Sequence, residues 1–430
     1  MEKKLDLYKN IRKKDFLDIS RETYDISKKI EDELKEKFSK IDSIKFYNQA
    51  KVLNAMKKAK LSDVHFSWTT GYGYNDISRE KIEEIYRLVF SAQAALVRPN
   101  IVNGTHALSL CLNACLSTGD IMLAISGKPY DTLDKVIGIV DSDMSLKSYG
   151  VKYEQIELLS DGSFDQEKIV CRSKKNPKIK MAYIQRSKGY SDRNSLTIEQ
   201  IKNIIDAIKS IDKNIIIMVD NCYGEFIESL EPTDIGADIM AGSLIKNPGG
   251  GLALTGGYIC GREDLVEKCA KKLTANSIGG ECGLTFGTTR LNLQGLFIAP
   301  AVTTNALKGA IFAAKLFESA NFYVFPKPND DRSDIIQGIR LESKENMLKF
   351  CEGVQQVCPV DSFVNPIPGY MPGYTEDVIM ACGGFVQGSS IELSADGPVK
   401  PPYNIYFQGG MTYEHSKIGA MSAFEKIKHK

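Results

Sequence analysis

From about residue 95, short apolar runs alternate with helical stretches, and this alternation constrains the fold more than any other feature of the sequence. The runs are Ala94–Val97, Ile121–Ile125, Lys180–Ile184, Ile215–Val219, Ile239–Met240 and Ala253–Ile259, with helical patterning between several of them, notably over 104–117 and 197–211. Apolar runs of this length, joined by helices, are suited to strands buried on both faces. They predict an α/β fold: a mostly parallel sheet with covering helices, whose ligands gather at the carboxyl ends of the strands.

The flanks have a different texture. Residues 1–60 are rich in Lys, Glu, Asp and Ile, with helical spacing at Ile26, Ile30, Leu34 and Phe38, which predicts amphipathic helices on the outside of a larger body. After about residue 305 a helix over Ala306–Ser319 leads into Tyr323–Pro328, and strand candidates follow at Ile335–Leu341, Val378–Phe385, Ser390–Leu393 and Asn404–Phe407. The Pro- and Gly-rich stretch 365–374 reads as a loop. The expected organisation is an N-terminal helical segment (1–60), a large α/β domain (61–305) and a small C-terminal α+β domain (306–430).

At 430 residues, 43% of them hydrophobic, the chain can bury a large core. Its 55 basic and 54 acidic side chains leave a net charge of +1 with no strongly charged tail, which argues against nucleic-acid binding. The 10 cysteines form no CxxC pair, and a reduced, cytoplasmic protein is expected. The N-terminus carries alternating charge, and no apolar run approaches the roughly 20 residues that cross a bilayer, so neither export nor membrane insertion is expected.

Two strand ends carry the chemistry. Ile-Ile-Ile-Met-Val ends in Asp220, and Ser-Leu-Ile ends in Lys246 beside the turn Asn-Pro-Gly-Gly-Gly. A buried carboxylate is costly unless paired, and a protonated pyridine nitrogen is a suitable partner. A lysine between apolar residues and glycines can form an imine with an aldehyde and, once released, remove a proton from a substrate carbon, aided by a pKa that burial lowers. The pair points to pyridoxal 5'-phosphate. Asn-Gly-Thr-His-Ala (103–107) opens a helix, where exposed N–H groups and the helix dipole favour a phosphate. Gly104 allows the approach, Thr105 adds a hydroxyl, and Ser243 is a second candidate.

Tyr130, in the loop after the run at 121–125, is suited to stacking on the cofactor ring and to giving a proton to a leaving group. The Tyr-rich loop 69–79 lacks the third glycine of a dinucleotide fingerprint; it is suited instead to reaching a partner subunit's site, with Tyr72, Tyr74 or Arg79 against phosphate. No Gly-x-Ser-x-Gly elbow, P-loop or zinc helix occurs, and the 4 histidines are dispersed, so no metal is expected, with His106 read as a cap.

These motifs resemble those of fold type I pyridoxal-phosphate enzymes, and more narrowly the methionine gamma-lyase-like, aluminium-resistance family related to the Cys/Met-metabolism lyases. The resemblance is carried by Tyr-Gly-Tyr-Asn-Asp (72–76), Asn-Gly-Thr-His-Ala (103–107), Gln-Arg-Ser-Lys-Gly-Tyr (185–190), Val-Asp-Asn-Cys-Tyr-Gly-Glu-Phe (219–226) and Gly-Ser-Leu-Ile-Lys-Asn-Pro-Gly-Gly (242–250). It continues through Phe-Gly-Thr-Thr-Arg (286–290), 386–398 and 407–415. It implies a seven-stranded sheet sandwiched by helices. It also implies Lys246 as the imine-forming lysine, Asp220 as the pyridine partner, Gly104, Thr105 and Ser243 around the phosphate, Tyr130 over the ring, and a homotetramer of dimers with shared active sites. Where the resemblance leads one to expect an arginine near the C-terminus, this chain has Lys400, which leaves Arg186 and Arg290 as alternatives for the substrate carboxylate.

The activity implied is a carbon–sulfur lyase on a sulfur amino acid, of methionine gamma-lyase or cystathionine lyase type, giving thiol, keto acid and ammonia. A transferase on the same cofactor and a cofactor-bound stress protein with little turnover are the alternatives.

Overall fold

The computed structural model describes residues 8–9, 16–371 and 376–428, and within them the chain forms two compact units. One comprises 44–303 with 331–334; the other comprises residues up to 43 together with 304–330 and 335 onward. Both boundaries between 43 and 304 fall inside helices: α1 (Arg21–Lys58) and α7 (Thr289–Ser319). The amphipathic N-terminal region is thus one 38-residue helix over most of its length rather than several. In the smaller unit its first part buries Ile30, Leu34 and Ile41, and Lys37 caps the chain by donating to the carbonyls of Pro328 and Asp330. In the larger unit its last part buries Val52, Ala55 and Ala59, and Asn48 donates to the carbonyls of Phe226 and Glu228.

The larger unit is built on a seven-stranded sheet. Its strands are β1 (Ala94–Arg98), β2 (Ile121–Ala124), β3 (Lys152–Gln155), β4 (Ile179–Gln185), β5 (Ile216–Asp220), β6 (Ile239–Ser243) and β7 (Gly257–Gly261), in the order β1-β7-β6-β5-β4-β2-β3. Only β7 runs against its neighbours; the others are parallel and share one carboxyl edge. The helices around the sheet include α2 (Ile77–Val89), α3 (Gly104–Cys115), α4 (Gln166–Lys175), α5 (Ile198–Ile211) and α6 (Glu263–Leu273), of which α3, α4 and α5 are crossovers between strands. Apolar layers cover both faces. Along β5, Ile217 and Val219 join one core and Ile216 and Met218 the other, so the strand reads as a continuous apolar run. This is the α/β fold anticipated from the sequence.

The edge strand β3, Lys-Tyr-Glu-Gln, was not anticipated, because a half-exposed edge carries no apolar run. The smaller unit holds an antiparallel sheet of β8 (Tyr323–Phe325), β9 (Gln337–Arg340), β10 (Val378–Cys382), β11 (Ser394–Pro398) and β12 (Asn404–Gln408), in the order β10-β11-β12-β9-β8. Helices α8 (Lys344–Gln355) and α9 (Tyr413–Lys428) complete it. The strand anticipated at Ser390–Leu393 lies a few residues later. Main-chain pairing of Ser394 with Gln408 and of Pro398 with Val378 fixes the strand on a Ser-Ala-Asp-Gly-Pro sequence of low strand propensity, while Ile391 and Leu393 are buried just before it. Of the loop anticipated at 365–374, residues 372–374 lie outside the described residues, and Gly369 makes an antiparallel bridge to Val378.

Helix α7 is long and apolar enough by length and composition to cross a membrane, yet 72% of its most apolar window is buried inside the protein. Its apolar residues are core.

Candidate functional site

Asp220 ends β5 at the shared carboxyl edge and is 5% exposed. Its Oδ1 accepts the backbone N–H of Cys222 at 3.1 Å, and the Tyr183 hydroxyl approaches Oδ2 at 3.5 Å. Burial pushes the Asp220 carboxyl up, against the opposing pull of the Lys246 charge and the Cys222 N–H. An ionised carboxylate here needs a cationic partner.

Lys246 follows β6, in a turn closed by its N–H to the Ser243 carbonyl. Gly249 makes the turn possible, because a Cβ there would run into the carbonyl of Leu244. The Lys246 ammonium stands 4.0 Å from the centre of the Tyr223 ring. Burial disfavours its charge, but Cys222, Tyr223, Asp220 and Glu225 outweigh burial and hold its pKa above the ordinary value. The sequence suggested a lowered pKa. The acidic side chains packed around it reverse the direction.

The turn after Asp220 is held by a network in which the sequence singled out Arg186 alone, and for another role. Tyr223 and Phe226 adopt left-handed backbone (φ 69° and 64°), a conformation non-glycine residues keep only when their surroundings impose it. Here the surroundings are Arg186, Asn221 and Glu231. Arg186 donates to Asn221 Oδ1 at 2.8 Å, to the Gly224 carbonyl at 2.9 Å and to Glu228 at 2.9 Å, and lies 3.6 Å from Glu231. Glu231 in turn accepts from the Phe226 N–H and from the Asn221 amide. Arg186 is fully buried and committed to this network, which removes it from the candidates for a substrate carboxylate.

Gly104 opens α3, whose N-cap Asn103 accepts the His106 N–H at 2.8 Å, and His106 accepts the Val102 N–H through Nδ1 at 3.2 Å. His106 is a cap. A Cβ at Gly104 would lie 3.3 Å from Ser243 Cβ and 3.4 Å from Cys222 Sγ, so the helix start, β6 and the Asp220 turn converge on one small concavity. Thr105 extends it, with its hydroxyl 2.8 Å from that of Thr132, two residues beyond Tyr130. A hydroxyl-lined cradle at a helix N-terminus, with Asp220 and Lys246 alongside, fits the phosphate, ring nitrogen and aldehyde of pyridoxal phosphate.

Glu225 was also missed. Its Oε1 accepts the Tyr258 hydroxyl at 2.6 Å, and burial, with Glu231 nearby, pushes its carboxyl up to about 8. The signal available was an acid in an otherwise apolar stretch, Cys-Tyr-Gly-Glu-Phe-Ile.

Four candidates lie elsewhere. Tyr72 and Tyr74 are 72% and 59% exposed, with ring centres 5.4 Å apart. Their loop is fastened by Arg79, which donates to the carbonyls of Gly73, Gly283 and Glu281; Arg79 itself is buried and lies 3.8 Å from the Glu80 carboxylate. Arg290 has a side chain 57% exposed, stacks on Phe66 at 4.2 Å and lies 3.5 Å from Asp63. Within one chain the structure does not bring these residues to the Asp220–Lys246 cluster.

Comparison with known proteins agrees with this geometry. The chain is 47% identical to YnbB of Bacillus subtilis strain 168 over 392 residues, covering 91% of this chain and 93% of the relative. A carbon-sulfur lyase involved in aluminum resistance from Clostridium novyi NT superposes with a TM-score of 0.94 at 47% identity, over 99% of this chain and 100% of that one. The pyridoxal-5'-phosphate dependent protein YhfS from Escherichia coli shares the fold alone, with a TM-score of 0.59 at 14% identity over 89% and 95% of the two chains. The methionine gamma-lyase family model matches residues 23–428, and the chain belongs to that family.

Proposed function

We propose that this protein binds pyridoxal phosphate at the Asp220–Lys246 cluster and cleaves a carbon–sulfur bond of a sulfur amino acid by β- or γ-elimination, releasing thiol, keto acid and ammonia. The observation that carries the reading is the convergence of Asp220, Lys246 and the Gly104–Ser243 cradle on one sheet edge. The methionine gamma-lyase family match and the carbon-sulfur lyase among its solved relatives support the substrate class.

When bound, the cofactor supplies an electron sink for carbanion chemistry. Gly104, Thr105 and Ser243 hold its phosphate, and Asp220 keeps a proton on the pyridine nitrogen. Lys246 anchors the aldehyde carbon and then moves the proton from the substrate Cα. Its raised pKa without the cofactor reflects Asp220, Cys222, Tyr223 and Glu225; a protonated ring nitrogen would answer Asp220 and lower the demand on the Lys246 charge. Tyr130 would stack on the ring and would supply a proton to the departing sulfur. The exposed Tyr72 and Tyr74 reach the site of a neighbouring copy in a homotetramer built from dimers. The ten free thiols suit a cytoplasmic enzyme.

Borohydride treatment of the purified protein loaded with pyridoxal phosphate, followed by peptide mapping, should place the pyridoxyl label on Lys246. L-methionine, L-cystathionine, L-cysteine and L-homocysteine, offered singly, should include one that yields keto acid with no second substrate. Lys246→Ala should lower that turnover by roughly 10³-fold or more. Label on another lysine, or full turnover in Lys246→Ala, sinks the assignment.

A further inference from the structure

The roles above leave Glu225 unassigned, although it is fully buried and lies against the strand that leads to Lys246. Its Oε1 accepts the Tyr258 hydroxyl at 2.6 Å, and Tyr258 on β7 pairs in register with Gly242 on β6. A Cβ on Gly242 would lie 2.9 Å from Glu225 Oε1 and 2.8 Å from the Tyr258 hydroxyl, so glycine lets the carboxyl and the phenol close over β6. A second tie comes from the lysine's own turn. The side-chain amide of Asn247, next to Lys246, donates to the Glu225 carbonyl at 3.0 Å. Glu225 Oε2 is buried and has no hydrogen-bond partner among the described residues. A buried carboxyl oxygen without a partner is costly, and more so when the group is ionised.

Lys246 is answered from both faces of the sheet. Asp220 continues the alternation of Ile216 and Met218, and its neighbour Tyr183 belongs to the same apolar layer as they do. Glu225 lies with Tyr258, which belongs to the opposite layer together with Ile217 and Val219. Both carboxyls act on the Lys246 charge. In the function proposed above Asp220 is committed to the ring nitrogen, so the charge that Lys246 gains on taking a proton from Cα needs another anion. Of the remaining groups that act on Lys246, Cys222 is a thiol pushed up by burial and Tyr223 is a phenol, which leaves Glu225 as the carboxyl.

We propose that Glu225 is a positioning residue for the lysine: it supplies a second counter-charge, ionising more readily while Lys246 is an ammonium and holding its proton when the Lys246 nitrogen is neutral. The choice of Lys246 as the reacting lysine rests on the function proposed above; its pairing with Glu225 rests on Gly242, Tyr258 and Asn247. Burial, with Glu231 nearby, holds the Glu225 carboxyl up to about 8, against the Tyr258 hydroxyl and the Lys246 charge, so it ionises within reach of neutral pH. Tyr86, Tyr258 and Cys222, which also face it, are held above their ordinary values and keep their protons there.

The test is the rate at which Lys246 in the full-length protein, stripped of cofactor, reacts with trace acetic anhydride from about pH 6 to about pH 10, read by mass spectrometry of its peptide. Only the neutral amine reacts, so the rate rises about tenfold per pH unit below the lysine's pKa. In wild type, ionisation of Glu225 tightens the hold on the lysine's proton, and the rise should flatten near pH 8. Glu225→Gln should match wild type at about pH 6, rise without that break, and react at least about tenfold faster at about pH 10, equivalent to about one pKa unit of coupling. Glu225→Asp should restore the break. Asp220, also pushed up by burial, acts alike in both proteins and drops out of their ratio. If Glu225→Gln fails to fold, Tyr258→Phe keeps the carboxyl and removes its donor, which should move the break to higher pH. Equal rates in wild type and Glu225→Gln across the range overturn the proposal, as does a break that Tyr258→Phe leaves in place. Because the reagent is not pyridoxal phosphate, these outcomes stand whichever lysine borohydride labels; label away from Lys246 counts against the cofactor reading instead.

Discussion

Arg186 and Arg290 present the same chemistry in two regions of the molecule, and both were candidates to grip a substrate carboxylate. Around Arg186 every answering group is protein: Asn221, Gly224, Glu228 and Glu231 enclose a guanidinium with no exposure. Around Arg290 there is one carboxylate at 3.5 Å and a side chain 57% open to solvent. The first arginine shapes the turn that carries Tyr223 and abuts Asp220. The second decorates a surface. A guanidinium in a motif shows that something planar and anionic is to be met, but only the fold shows whether that something is already within the chain.

The largest effect should come from Arg186→Met. It leaves the less buried Glu228 without its cation and Glu231, with no exposed side-chain surface, with Lys51 at 3.9 Å in place of the closer Arg186. Breaking a buried pair from one side costs about 3–5 kcal/mol, so chemical denaturation should show a loss of that order. A loss below about 1 kcal/mol would erase the distinction between the two arginines.

Glu225 sharpens the comparison from the acid side, since its charge, unlike that of Glu231, is not answered by Arg186. With a folded-state pKa raised to about 8 from 4.5, it binds a proton more tightly folded than unfolded. Its contribution to stability is complete below about pH 4.5 and is lost as pH rises through about 8. Between those limits the wild type should lose about 1 kcal/mol per pH unit from this group. Glu225→Gln keeps an acceptor for the Tyr258 hydroxyl and has no proton to lose. Melting temperatures recorded from pH 5 to pH 8 should therefore fall less steeply in the variant.

Gly224→Ala tests the same network through packing. The added Cβ would lie 2.6 Å from Arg186 Nη1 and 2.7 Å from its Cδ, and the guanidinium is too firmly bonded to move aside. The expected cost is about 1–3 kcal/mol, read in the same denaturation experiment. A neutral result would mean that Arg186 is less rigidly held than its four partners imply.

What was legible in the sequence follows the same division. Strands buried on both faces announce themselves as apolar runs, so β1, β2, β4, β5 and β6 could be read within a few residues, and Asp220 and Lys246 stood out as charges that end such runs. The edge strand β3 and the low-propensity β11 are set by main-chain pairing, which leaves no periodic signal. Tyr258, from a separate strand, meets Glu225 and Cys222 of the turn after β5, and each alone reads as an ordinary core or turn residue. The Gln-Arg-Ser-Lys segment was visible as a motif, yet that its arginine is answered by protein depends on where Glu228 and Glu231 return in space.

The smallest effect should come from Arg290→Gln. The pair with Asp63 joins side chains 57% and 91% exposed, and such surface pairs contribute between nothing and about 1 kcal/mol; the contact with Phe66 adds a similarly small term at an exposed site. Denaturation should shift by no more than about 1 kcal/mol, and KM for the preferred amino acid should stay within about twofold. Those two readings separate the remaining possibilities cleanly. Unchanged stability with unchanged KM leaves Arg290 a surface residue, in contrast to Arg186. Unchanged stability with a KM raised tenfold or more would mean that Arg290 meets substrate in the site of a neighbouring copy, since within its own chain it lies with Asp63 and Phe66. In that case the contrast between the two arginines would be one of subunit rather than of burial.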